Sequence, residues 1–178
     1  MRVALTGTPG TGKTTAANLV RSGFEVVHLN GVIREEGLTE SVDDERDSLV
    51  ADLGAVEAWL DDHGEADGDT LVESHLAHLF DADRVVVLRC EPDELERRLL
   101  ERGETDAEAR ENAESEALDV ILAEAVERHG EERVYEVVTT GRTPDAVARD
   151  VESVLAGERP PSAGTVDYTD WLVEGGPK

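Results

Sequence analysis

Gly7-Thr8-Pro9-Gly10-Thr11-Gly12-Lys13-Thr14 decides how the rest of the chain is read. The apolar run Val3-Ala4-Leu5 precedes it and is short enough for a buried strand; Thr15-Ala16-Ala17-Asn18-Leu19-Val20 follows with helical character. Gly, four residues, then Gly-Lys-Thr is the spacing of a phosphate-binding loop. Its glycines let the backbone turn tightly and aim N–H groups at an anion. The helix behind it adds the positive end of its dipole. Lys13 is expected on the outer phosphates of a nucleoside triphosphate, and the Thr14 hydroxyl on Mg²⁺. A Gly-rich turn before an ordinary helix is the competing reading; the strand, loop and helix in succession favour the phosphate site.

Working outward, strand-like runs alternate with helical ones, which predicts a parallel sheet flanked by helices. Strands are expected over residues 2–6, 25–29, 70–73, 84–89 and 134–139. Helices are expected over 14–22, closed by Gly23, and over 31–36, capped by Asn30 and ended by Gly37. Further helices are expected over 52–63, with Leu53, Val56 and Leu60 on one face, and over 75–80, 92–102, 107–128 and 144–155. The long helix 107–128 carries Leu118, Ile121, Leu122, Ala125 and Val126 as its stripe. The acidic stretch 41–48 reads as a loop and 64–69 as a turn. From residue 158 the tail is rich in Pro and Gly, yet Tyr168, Trp171, Leu172 and Val173 are costly to leave in water. Trp171 is expected to pack back on the domain or on a partner.

At 178 residues the chain fits one domain with a proper core. Its net charge of −25 comes from 17 basic and 42 acidic residues spread along the chain. Such repulsion opposes compaction at low ionic strength, whereas at molar salt the Debye length shrinks to about 3 Å. The composition resembles proteins of salt-loving archaea. It argues against direct nucleic-acid binding, which relies on basic side chains displacing counterions. The chain has no stretch apolar enough to span a membrane and no secretory pattern, and the single Cys90 leaves no internal disulfide. A cytoplasmic monomer is the expectation.

In an open parallel sheet, ligands sit beyond the carboxyl ends of the strands. Glu73 ends the third strand, where a carboxylate can hold Mg²⁺ or orient an accepting oxygen. His75 stands beside it as a polar catalytic candidate, while His78, one turn on, reads as structural. Asn30 and Arg34 follow the second strand, where a second substrate's phosphate would lie. Arg98 and Arg102 precede the break at Gly103, and a guanidinium beside a hinge can close over transferred charge. Arg110, Asn112 and Glu116 are weaker candidates.

Together these segments resemble the adenylate kinase isoenzyme 6 family, in its archaeal form. The resemblance is carried by LTGTPGTGKTT at 5–15, NGVIREEGL at 30–38, VESHLAHLF at 72–80, ERRLLERG at 96–103, Glu111-Asn112 with the later Glu116, and TTGRTPDAV at 139–147. It implies a P-loop nucleoside monophosphate kinase domain over 1–157, with a five-stranded parallel sheet of order 2-3-1-4-5. The tail would be 158–178, the monophosphate-binding region 28–51 and the lid 101–111. It implies broad-specificity transfer of the ATP γ-phosphate to AMP, with Mg²⁺ and some ATP hydrolysis. ATP contacts would fall on Gly10, Gly12, Lys13, Thr14, Thr15 and Arg102. Glu73-Ser74-His75 stands where the family has Asp-x-His, so its carboxylate is one methylene longer, and the lid lacks the several arginines of ordinary adenylate kinases. Eukaryotic relatives assist ribosome small-subunit maturation and rRNA processing by binding ribosomal protein S11, a basic partner suited to an acidic surface. A kinase of another small metabolite is the remaining alternative.

Overall fold

The computed structural model describes residues 1–43, 48–64 and 68–174. In chain order the elements are β1 (Arg2–Thr6), α1 (Lys13–Leu19), β2 (Glu25–His28), α2 (Leu29–Glu35), β3 (Thr39–Asp43), β4 (Ser48–Ala51), α3 (Leu53–Gly64) and β5 (Thr70–Glu73). They continue as β6 (Arg84–Arg89), α4 (Pro92–Glu101), α5 (Asp106–Ala117), α6 (Val120–His129), β7 (Val134–Val138), α7 (Pro144–Leu155) and α8 (Thr169–Glu174).

The main sheet has the order β2-β5-β1-β6-β7 with every pairing parallel, which is 2-3-1-4-5 when its five strands are counted along the chain. Its strands read as unbroken apolar runs because both faces are covered. On one face Ala4, Val72, Val85 and Val87 meet Val56 and Leu60 of α3 and Leu122 and Ala125 of α6. On the other, Val3, Leu5, Leu71, Val86 and Leu88 meet Ala16 and Ala17 of α1 and Val147 and Val151 of α7. Leu95 and Leu99 of α4 pack against Ala109 of α5 and the buried Cys90. Register then positions the site: Leu5 pairs with Glu73 and Val86, and His28 pairs with Glu73. The ends of β2, β5 and β1 therefore lie side by side at one edge.

Several local expectations are corrected. α1 stops at Leu19, where Val20 turns extended (φ −62, ψ 126), so Gly23 caps nothing. Asn30 lies inside the first turn of α2, with His28 at the cap position, because the helix starts directly from the strand end. The stretch read as an acidic loop belongs at both ends to an antiparallel hairpin, Val42 opposite Leu49. Each arm is too short for its alternation to stand out. Residues 44–47 of that stretch, and 65–67 of the expected turn at 64–69, lie outside the described residues. Leu53 is exposed at the start of α3, while Val56 and Leu60 are buried. Only a 3-10 turn over Ala77–Leu79 forms where a helix was expected over 75–80.

The long helix is two helices. Asp119 adopts φ 56, the left-handed region that non-glycine residues rarely enter, and this ends α5 and restarts the chain as α6. Leu118 consequently faces solvent. The tail lies on the domain: Ser162 N–H donates to the Val134 carbonyl at 3.0 Å, Trp171 Nε1 donates to Asp93, and the Arg110 guanidinium sits 4.3 Å over the Trp171 ring. Leu172 and Val173 remain exposed.

Candidate active site

The cup begins where β1 ends. Gly7 must be glycine, since a Cβ there would sit 2.5 Å from the Leu88 carbonyl of the neighbouring strand. Gly12 takes φ 96 with open space beside it, so its φ, not crowding, sets the requirement. Between them Thr11 N–H and Thr11 Oγ1 both reach the Thr8 carbonyl, at 3.2 and 2.9 Å. Lys13 Nζ donates to the carbonyls of Gly7 and Thr8 at 2.8 and 3.1 Å. Burial pulls the Lys13 ammonium down to about 8; Glu73 and then Glu116 oppose the fall and Arg102 adds to it.

Glu73 is buried at the end of β5 and holds two partners. Thr14 Oγ1 donates to Glu73 Oε1 at 3.2 Å, and Glu73 Oε2 lies 2.9 Å from His28 Nδ1. His28 Nε2 is in turn 3.1 Å from Asn18 Oδ1. His28 escaped the sequence reading because it was counted among strand residues; strand-end register with Glu73 was the signal available. His75 lines the same cavity. Burial, with Lys13 and His78 nearby, lowers its pKa and leaves the imidazole neutral at pH 7. His78 is buried under the sheet between Thr6 Oγ1, at 3.0 Å, and Glu124, at 2.8 Å.

One cavity of about 710 Å³ joins these groups. Its lining includes Gly10, Gly12, Lys13, Thr14 and Thr15 of the loop and Asn30, Glu73 and His75 beside it. Arg98, Arg102 and Arg142 line it too. Asn30 Oδ1 accepts from Ser74 Oγ at 2.8 Å, which ties α2 to the end of β5. Arg98 is held by Glu94 and by Thr139 Oγ1 at 3.3 Å, and Arg142 by Asp150 at 2.6 Å. Arg102 is exposed at the C-terminal cap of α4. Arg34 is exposed near the end of α2, outside the cavity lining. Among the described residues no cluster of three or more His, Cys, Asp and Glu side chains could hold a metal unaided. Among them also, no helix is long and apolar enough to cross a membrane.

Residues 3–119 match the family described as AAA domain. The chain is 62% identical to a protein of Natronomonas pharaonis named "Putative adenylate kinase", over 97% of this chain and all of that one. It is 55% identical to a protein of the same name from Halobacterium salinarum, with the same coverage. The chain belongs to this family. Among solved structures, shikimate kinase from Bacteroides thetaiotaomicron superposes with a TM-score of 0.60 at 18% identity, covering 88% of this chain and 98% of the other. That likeness establishes a shared fold, with which this chain's own parallel sheet agrees.

Phosphate beside Lys13 favours the protonated amine. Binding of a triphosphate near pH 8 should therefore take up on the order of half a proton, and affinity should weaken as pH rises further. Calorimetry in buffers of different ionisation heat reads the uptake directly. A binding enthalpy independent of buffer contradicts this account of Lys13.

Proposed function

We propose that the protein transfers the γ-phosphoryl group of ATP to AMP or a related nucleoside monophosphate, and hydrolyses ATP slowly when water replaces the acceptor. The continuity of the cavity carries this reading: one lining includes the loop, Asn30 and His75, and Arg102. A donor and an acceptor can thus meet in a single open cleft of about 710 Å³.

The Thr14 hydroxyl and the Glu73 carboxylate, 3.2 Å apart at the cup, are hard oxygen donors of the kind Mg²⁺ accepts alongside phosphate oxygens and water. They would hold the ion, which when bound would neutralise charge on the outer phosphates. His28, on the other oxygen of Glu73, fixes the direction of that carboxylate. Loop N–H groups and Lys13 hold the β- and γ-phosphates in place. Arg102 closes over the triphosphate from the end of α4, with residues 101–111 as the lid. Asn30 meets the acceptor at the cavity wall, and Arg34, exposed on α2 outside that wall, reaches the acceptor's phosphate from the rim of region 28–51. Neutral His75 offers a hydrogen bond and no charge. An acceptor phosphate oxygen bonds to the γ-phosphorus while the bond to the β,γ-bridging oxygen breaks, and the electron pair leaves with ADP. Orientation and charge neutralisation supply most of the rate, so no covalent intermediate is required.

In molar salt, ATP plus AMP should yield ADP well in excess of the phosphate released. Lys13→Ala should lower kcat/KM about 100-fold or more, and Arg34→Ala should raise the AMP KM about tenfold. Equal ADP with and without AMP would remove the transfer reading.

The net charge of −25 favours a second role, binding a basic protein such as ribosomal protein S11 in one nucleotide state. Tagged chain should then retain S11 with a non-hydrolysable ATP analogue and release it after turnover. Absence of the complex in both states contradicts this.

A further inference from the structure

Arg89, the last residue of β6, is the largest fully buried side chain and belongs to none of the roles above. Its Nε donates to Glu116 Oε1 at 2.9 Å, and its terminal nitrogens donate to Glu136 and Asp119. Three carboxylates around one guanidinium leave excess negative charge inside the protein, which is costly unless other donors fill the lone pairs. The donors are specific. Cys90 N–H reaches Glu116 Oε1 at 3.1 Å. Thr165 N–H and Val166 N–H, from the tail, reach Glu136 Oε1 at 2.7 and 3.3 Å. Tyr168 lays its ring 5.4 Å from the Arg89 guanidinium. The second oxygen of Glu116, Oε2, accepts from the hydroxyl of Thr8, the second residue of the phosphate loop.

Thr8 is itself buried, and its carbonyl is the point on which Thr11 and Lys13 converge. The loop is thus gripped from two sides of one residue. Its carbonyl faces the cup, and its hydroxyl reaches down into the ion cluster.

We propose that Glu116 is a positioning residue for the phosphate loop, acting through Thr8, and that Arg89 holds Glu116 in place with the tail segment 162–168 completing the cluster through Glu136. Glu116 need not touch nucleotide. It sets the orientation of Thr8 and therefore of the carbonyl that orders the loop. The proposal rests on the loop being the nucleotide site, and not on the identity of the acceptor.

The test uses the full chain with Thr8→Val, which keeps shape and removes the donor, Thr8→Ser, which keeps the donor, and Glu116→Gln. Amide hydrogen exchange over residues 7–13 and the Kd for an ATP analogue are measured together with thermal unfolding. Thr8→Val should raise loop exchange about tenfold and weaken the analogue about tenfold, with the AMP KM unmoved; Thr8→Ser should restore both. Glu116→Gln should shift both in the same direction, and more than Thr8→Val because it also removes the charge that faces Arg89 and Lys13, while the combination with Thr8→Val should fall short of the sum, since the Thr8 contact is shared. Unchanged loop exchange in Thr8→Val, or full additivity in the double variant, overturns the proposal. If Glu116→Gln fails to fold, the two Thr8 variants decide alone. Wild-type chain that binds the ATP analogue but does not phosphorylate AMP defeats the acceptor assignment and leaves the exchange result to decide the role of Glu116.

Discussion

Lys13 keeps an ammonium inside the head of the sheet, on the carbonyls of Gly7 and Thr8, and much of the surrounding structure serves to keep that charge there. A lysine buried without compensation can fall to a pKa of about 5 to 6, too low to meet phosphate as a cation at neutral pH. Here it falls only to about 8. The difference comes from Glu73 at the end of β5 and Glu116 on α5, both buried and both negative. The phosphate cup is therefore a balance of charges set by strand register and helix packing, with the glycine loop laid over it.

The same balance explains the unusual polarity beneath the cup. Arg89 with Glu116, Glu136 and Asp119 would be a poor way to gain stability alone, because removing ions from water consumes most of what their attraction returns. Donors to both oxygens of the two buried glutamates change the account. Tail amides, the Cys90 amide and the Thr8 hydroxyl occupy the carboxylate oxygens, so what the cluster gains is geometry. It links β6, β7, α5, the tail and the loop at one point.

Much of this was legible in the sequence, and for physical reasons. Buried parallel strands leave continuous apolar runs such as Val85-Val86-Val87-Leu88, and a phosphate loop needs its glycines at set spacing, so the parallel sheet and the cup could be read directly, whereas the order of the strands came only from the family resemblance. Glu73 was readable as a strand-end carboxylate. What was hidden depends on partners distant in sequence. The apolar stripe over 107–128 continues smoothly past Asp119, while the helix divides there at a positive φ, where the Asp119 carboxylate meets Arg89, thirty residues earlier. Asn30 has the chemistry of a helix cap but serves Ser74 instead, a contact made by sheet register. His28 is an ordinary strand residue until β2 is paired with β5 and brings it to Glu73. The β3–β4 hairpin is short and acidic, and strand pairing supplies what local pattern does not.

The central claim is that backbone amides of the loop, backed by Lys13, grip a triphosphate. The most direct measurement follows the amide resonances of the labelled chain as a non-hydrolysable ATP analogue and Mg²⁺ are added in molar salt. The account predicts the largest downfield shifts at Gly10, Gly12 and Lys13, where N–H groups would meet phosphate oxygens. Saturable binding that leaves those three amides unmoved while shifting others would contradict it.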